Sequence, residues 1–123
     1  MDPDQKSPLI AIVDDDESVR NAVHGVLKSV GMTARTFASA EEFLLSGQRS
    51  ACLITDIQMP GMTGLELQAK LAEANNRIPV IFITAYGSAK TRTRAMGAGA
   101  VAFLEKPFDD DVLLENVRAA LQS

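Results

Sequence analysis

Residues 51–64 read A-C-L-I-T-D-I-Q-M-P-G-M-T-G, and the fold is decided there. The apolar run Ala51 to Ile54 is followed, after a few residues, by Pro60-Gly61. That pattern predicts a buried strand running into a turn. One carboxylate, Asp56, sits where the strand ends. In a parallel sheet, ligands and chemistry collect at that position. An acid there can be a metal ligand, a nucleophile or a helix cap, and the remainder of the chain has to choose among them.

Working outward, the same design recurs on both sides. Pro8 to Val13 (P-L-I-A-I-V) is continuously apolar, as expected of a strand covered on both faces, and runs into Asp14-Asp15-Asp16-Glu17-Ser18. Val19, Ala22, Val23, Val26, Leu27 and Val30 then repeat at helical spacing until Gly31 ends the helix. Thr33 to Phe37 reads as a short, mixed strand at an edge. Ser39 with Glu42 forms a capping box for a short helix through Phe43, Leu44 and Leu45. Beyond Asp56, Gly64 to Ala74 is a helix with Leu67 and Leu71 on its apolar side, closed by Asn75, Asn76 and Arg77. Ile78 to Ala85 is a further buried strand, with Pro79 tolerable only near its start. The helix at 89–97 carries Lys90, Thr91, Arg92, Thr93 and Arg94 and almost no apolar stripe, so it should be among the more mobile elements. Ala100 to Leu104 is the fifth strand, ahead of Glu105-Lys106-Pro107. Asp109 to Asp111 open a last helix carrying Leu113, Val117, Ala120 and Leu121.

Five strand–helix units in alternation predict an α/β fold, a doubly wound five-stranded parallel sheet with helices on both faces. At 123 residues the chain suits one domain with a real core, spanning 9–121, with residues 1–7 as a loose leader. The net charge of -4 and pI near 4.9 argue against direct nucleic-acid binding by this domain, which needs a basic surface. The first residues carry no signal pattern, and no apolar run reaches the about 18 residues a bilayer span requires. Cys52, the single cysteine, reads as a small buried hydrophobe. The default location is the cytosol, with no membrane attachment.

The strand ends share one edge of the sheet and deliver Asp14 and Asp15, then Asp56, then Thr84, with Lys106 from a fourth. Carboxylates gathered in one cleft repel each other, so something positive belongs among them. A hard divalent cation with oxygen ligands, Mg²⁺ above all, answers that need, and Lys106 offers a second positive point. Acids, Mg²⁺, an ammonium and a hydroxyl suit an anionic tetrahedral group. Phosphoryl transfer to a carboxylate is the reaction such a site stabilises.

V-D-D-D at 13–16, D-x-x-M-P-G-M-T-G at 56–64, I-T-A at 83–85 and E-K-P-F at 105–108 resemble the response-regulator receiver domain of two-component signalling. The resemblance covers residues 9 to 121 in order and spacing, and its D-D-D opening and E-K-P-F ending look closest to FixJ-like regulators. It implies that Asp56 is the phospho-acceptor, served by the phosphohistidine of a sensor histidine kinase. Asp14 and Asp15 would hold Mg²⁺, Asp15 directly and Asp14 mainly through water, with Asp56 and the backbone carbonyl of Gln58 as the other ligands. Thr84 would hydrogen-bond a phosphoryl oxygen and Lys106 would pair with it. Phe103 would be the aromatic that turns inward to report the Thr84 movement. Lys106-Pro107 would be a cis peptide. Gln58 and Tyr86 would tune hydrolytic water, and Ala85 would leave the path to Asp56 open. The output face would lie at 89–121, where Lys90, Arg92 and Arg94 adjoin Asp109, Asp110, Asp111 and Glu115 in an arrangement that suits a phosphorylation-dependent homodimer.

Plainer readings stand beside these. Asp16 and Glu17, and even Asp14, can simply cap the first helix. Phe103 by itself is a core residue, and His24 is a surface residue rather than a phosphodonor. A competing enzyme reading is a Mg²⁺-dependent phosphatase of the haloacid-dehalogenase type, which places D-x-D after the first strand with Asp14 as nucleophile. A degenerate receiver serving only as a protein-binding module is a third. If a further domain belongs to the protein, DNA binding is its expected role.

Overall fold

The computed structural model describes residues 8–122, so the expected leader at 1–7 lies outside the described residues. Its elements are β1 (Leu9–Val13), α1 (Glu17–Ser29), β2 (Thr33–Phe37), α2 (Ala40–Ser46), β3 (Cys52–Asp56), α3 (Gly64–Glu73), β4 (Val80–Thr84), α4 (Ala89–Gly97), β5 (Ala102–Glu105) and α5 (Asp110–Gln122). One sheet, in the order β2-β1-β3-β4-β5, has every neighbour parallel. The α/β doubly wound expectation holds, and β2 is an edge strand as its mixed composition predicts.

Alternation along the strands builds two cores. Ile10, Ile12, Ile54, Ile81 and Ile83 face Val23 and Leu27 of α1 and Leu113 and Val117 of α5. Ala11, Val13, Leu53 and Phe82 face Phe43 of α2, Leu67 and Leu71 of α3, and Ala95 of α4. Fully burying one large apolar side chain is worth about 1.5–3 kcal/mol. By that measure α3, with two buried leucines, is firmly seated, whereas α4 buries only Ala95. Among the described residues no helix is long and apolar enough to cross a membrane.

Several boundaries differ from expectation for identifiable reasons. The strand predicted over 78–85 is shorter, because Pro79 has no N–H to donate; its carbonyl still accepts from Leu53 N at 2.9 Å. The fifth strand begins two residues later than predicted and runs on to Glu105. Ala100 is still closing α4, its N–H donating to Ala95 O at 3.1 Å. The central strand extends to Asp56 itself, which pairs with Ile83. Only half of the expected Ser39–Glu42 capping box forms, Ser39 accepting from Glu42 N at 3.1 Å. A complete box instead opens α3 at Thr63–Glu66, pulling the Glu66 carboxyl below its ordinary range through the Thr63 backbone N–H and then its hydroxyl.

Candidate functional site

Each polar group of interest stands at the carboxyl end of a strand, where the ladder releases the chain. Asp14 follows β1 directly and is fully buried; its N–H continues the pairing to Phe37 O at 3.2 Å. Its Oδ1 accepts from Asp16 N at 2.9 Å and its Oδ2 from Lys106 Nζ at 3.1 Å. Asp14 is therefore not the cap of α1. Asp16 takes that role, accepting from Ser18 N at 2.8 Å and Val19 N at 3.4 Å. Asp56 closes β3, 7% exposed, with Oδ1 accepting from Ile57 N at 2.6 Å and Gln58 N at 3.3 Å. Its Oδ2 lies 3.3 Å from Lys106 Nζ. Asp15 is exposed at the mouth.

One carboxylate oxygen from each of Asp14, Asp15 and Asp56 falls within 4.8 Å of the other two, so these residues could hold a metal ion. Their mutual repulsion is answered in part by Lys106, whose ammonium spans Asp14 and Asp56. Burial pushes the Asp14 pKa above its ordinary 3.8, against the hydrogen bond from Asp16 and the hydrogen bond and charge of Lys106, and the Asp56 charge adds to the rise. For Lys106, burial works to lower the pKa. The hydrogen bond and charge of Asp14, then those of Asp56, outweigh it and hold the ammonium above its ordinary 10.5. Lys106 stays charged. Its backbone N–H donates to Thr84 O at 2.8 Å, and its bond to Pro107 is cis, as expected. Thr84 ends β4 with 1% exposure, its Oγ1 accepting from Tyr86 N at 3.2 Å.

A family model described as the response regulator receiver domain matches residues 10–118. The chain belongs to the receiver family. It is 42% identical over 119 residues to the response regulator protein TodT of Pseudomonas putida, covering 95% of this chain and 52% of that protein. It is 35% identical over 115 residues to the transcriptional regulatory protein FixJ of Bradyrhizobium diazoefficiens, covering 92% of this chain and 56% of that protein. The receiver thus spans about half the length of the curated relatives it matches. Among solved structures, the crystal structure of FixJ-N superposes with a TM-score of 0.87 at 38% identity, covering 96% of each chain. The expectation of a two-component receiver with FixJ-like relatives is met, and these relatives carry names of response and transcriptional regulators. The haloacid-dehalogenase reading finds no support: the required Asp14 is fully buried, with both oxygens engaged by Asp16 and Lys106.

The other predicted residues divide by position. Gln58, Ala85 and Tyr86 rim the site and are exposed, Tyr86 at 75%. Phe103 is 5% exposed, and a Cβ on Gly87 would stand 3.0 Å from its ring. In this structure the Phe103 ring lies on the inside. Composition-based reading missed Arg20, Glu41 and Gln68. Arg20 Nη1 donates to Asp14 O at 2.7 Å and so braces the acid loop from α1. Gln68, 7% exposed, reaches from α3 to donate to Ala95 O at 3.1 Å. A glutamine directly after Leu67 and one turn before Leu71 was the signal available for Gln68.

Proposed function

We propose that this receiver accepts a phosphoryl group on Asp56 from the phosphohistidine of a sensor histidine kinase and relays the change to the face made by α4, β5 and α5. The observation that carries the reading is Lys106, whose ammonium lies 3.1 Å from Asp14 Oδ2 and 3.3 Å from Asp56 Oδ2. It stands where the charge of an incoming phosphoryl group has to be met. In the transfer, the P–N bond to the donor imidazole breaks as a P–O bond to the Asp56 carboxylate forms, and the departing nitrogen takes up a proton. The carboxylates of Asp15 and Asp56 and the carbonyl of Gln58, with Asp14 mainly through water, would hold Mg²⁺, which would supply electrostatic stabilisation of the phosphoryl oxygens. The fit is close. Three hard carboxylate oxygens gathered within 4.8 Å of one another suit such an ion.

Asp14 and Arg20 fix the acid loop, and Lys106 pairs with the phosphoryl group. Thr84 releases Tyr86 N to donate its hydroxyl to a phosphoryl oxygen, while Gln58, Tyr86 and Ala85 set how readily water reaches the acyl phosphate. Phe103, already inward, is the contact by which a Thr84 movement reaches α4, so phosphorylation shifts a population rather than building a new state. The receiver promotes only its own phosphorylation and dephosphorylation. It forms one unit with its core at 9–121, works in the cytoplasm, and does not itself hold nucleic acid. Regulation of transcription belongs to the whole protein, as the names of its relatives suggest.

The test is a small-molecule phosphodonor with Mg²⁺, read by intact mass. Wild type should gain one phosphoryl group, labile to hydroxylamine, and Asp56→Asn should gain none. Adduct on Asp14, or none in wild type with millimolar Mg²⁺, would count against the reading.

A further inference from the structure

The loop that leaves Asp56 is fixed at its base. Gly64 N donates to Ile57 O at 2.8 Å, and the two chain segments approach so closely that a Cβ on Gly64 would collide with the Asp56 carbonyl. Asp56 Oδ1 gathers Ile57 N and Gln58 N, and Met59 is buried at 7% exposure. The apex, Pro60-Gly61-Met62, bends with Gly61 at φ 75°, a left-handed conformation that glycine adopts without strain. What meets this apex comes from a different element. Glu41, in the first turn of α2, accepts a hydrogen bond from Met62 N at 3.1 Å. Its carboxylate also fills the space beside Gly61, where a Cβ would lie 2.5 Å from Glu41 Oε2. The support is rigid: Ser39 caps α2, Ala40 is fully buried, and Phe43 packs edge-on against Phe37 at 5.3 Å.

We infer that Glu41 is a positioning residue, a clamp from α2 that holds the 58–62 loop so that the Gln58 carbonyl faces the acid cluster. The inference rests on the proposed role of Gln58 in holding Mg²⁺ and extends it to a side chain that touches none of the reacting groups. Gln58 is exposed and held at its N–H by Asp56 Oδ1, while its carbonyl leads toward the apex, so release of the apex would loosen that carbonyl. Losing one such hydrogen bond weakens whatever depends on it by about three- to tenfold. Glycine at 61 suits the positive φ, and any Cβ there would have to displace the Glu41 carboxylate.

The test compares wild type with Glu41→Ala and Glu41→Gln, using amide hydrogen exchange at Met62 without metal and Mg²⁺ titration followed by the Gln58 and Met59 amide resonances. Glu41→Ala should expose the Met62 amide and weaken Mg²⁺ about three- to tenfold with Tm little changed. Glu41→Gln should restore both, since its amide oxygen still accepts. Unchanged exchange and affinity in Glu41→Ala would overturn the inference. So would a Glu41→Gln protein that protects Met62 yet binds Mg²⁺ as weakly as Glu41→Ala, because charge rather than the clamp would then set affinity. A wild type that binds no Mg²⁺ would sink the functional reading and the metal half of this inference, and exchange at Met62 would still decide the clamp.

Discussion

Asp14 shows how a single residue can serve the site at the expense of the fold. Its carboxylate is buried, and its pKa is raised chiefly by that burial. A raised folded pKa means the native state binds the proton more tightly than the unfolded chain. Its contribution therefore favours folding below the ordinary 3.8, declines as pH rises through the folded pKa, and is a full penalty at neutral pH. Asp14→Asn should accordingly raise the stability of the metal-free protein at pH 7 by about 1 kcal/mol while weakening Mg²⁺ binding. Thermal melts at pH 7 and pH 4 check this: the gain should shrink in acid, and a loss of stability at pH 7 would contradict the account. Cys52 makes a second residue-scale prediction. Burial pushes its thiol up to about 12, so folded protein at pH 8 should not react with a thiol reagent until denaturant is added. The acids, Thr84 and Lys106 were legible because strand ends gather on one edge. Arg20 and Glu41 were not, because each acts through a backbone atom of another segment, and no local pattern encodes such a pairing.

Among the elements, α4 is the weakly held one. Its sequence offers no apolar stripe, and only Ala95 is buried. Two hydrogen bonds converge on that residue's carbonyl, from Ala100 N at 3.1 Å and from Gln68 Nε2 at 3.1 Å. The Gln68 bond is thus the one polar tie described here that fastens α4 to α3. Gln68→Ala should raise amide exchange across 92–98 while leaving β1 and β3 protected, with a global cost of about 1–2 kcal/mol. Uniform loss of protection over the whole sheet would instead mean that α4 unfolds only with the rest. Apolar patterning made most strands and helices legible in type, α4 excepted, and Ser39, Asp16 and the 109–111 acids marked helix starts. The misplaced ends at 78–79 and 100–101 share a cause, since these residues are apolar but serve to lead the chain into or out of the ladder. Hydrophobicity alone does not separate a residue that pairs from one that merely packs.

At the scale of the molecule, strand order and direction do most of the functional work, bringing residues 14, 56, 84 and 106 to one edge while a cleft of about 470 Å³, lined by Arg77, Ile78 and Val101, lies at the other. That gathering follows from parallel topology, which the βα alternation already implied. What chain order could not supply was distance. Lys106 reaches Asp14 across 92 positions of sequence, and only the folded sheet shows that it neutralises two acids together. The proposed output face follows from the same topology, since α4, β5 and α5 lie at one end of the sheet order beside Thr84 and Lys106. Lys90, Arg92 and Arg94 on α4 oppose in sign Asp110, Asp111 and Glu115 on α5, so a two-fold axis between them would pair each patch with its complement. Arg92 also stands 6.0 Å over the Phe103 ring, linking that patch to the proposed relay. We expect beryllofluoride with Mg²⁺ to shift the mass by light scattering from monomer toward dimer, and added salt to oppose the shift. Arg94→Glu should weaken the dimer about three- to tenfold, and Glu115→Arg in the same chain should recover much of it. Mass unchanged by beryllofluoride would dismiss the dimer, whereas dimerisation indifferent to both substitutions and to salt would move the interface off this charged face.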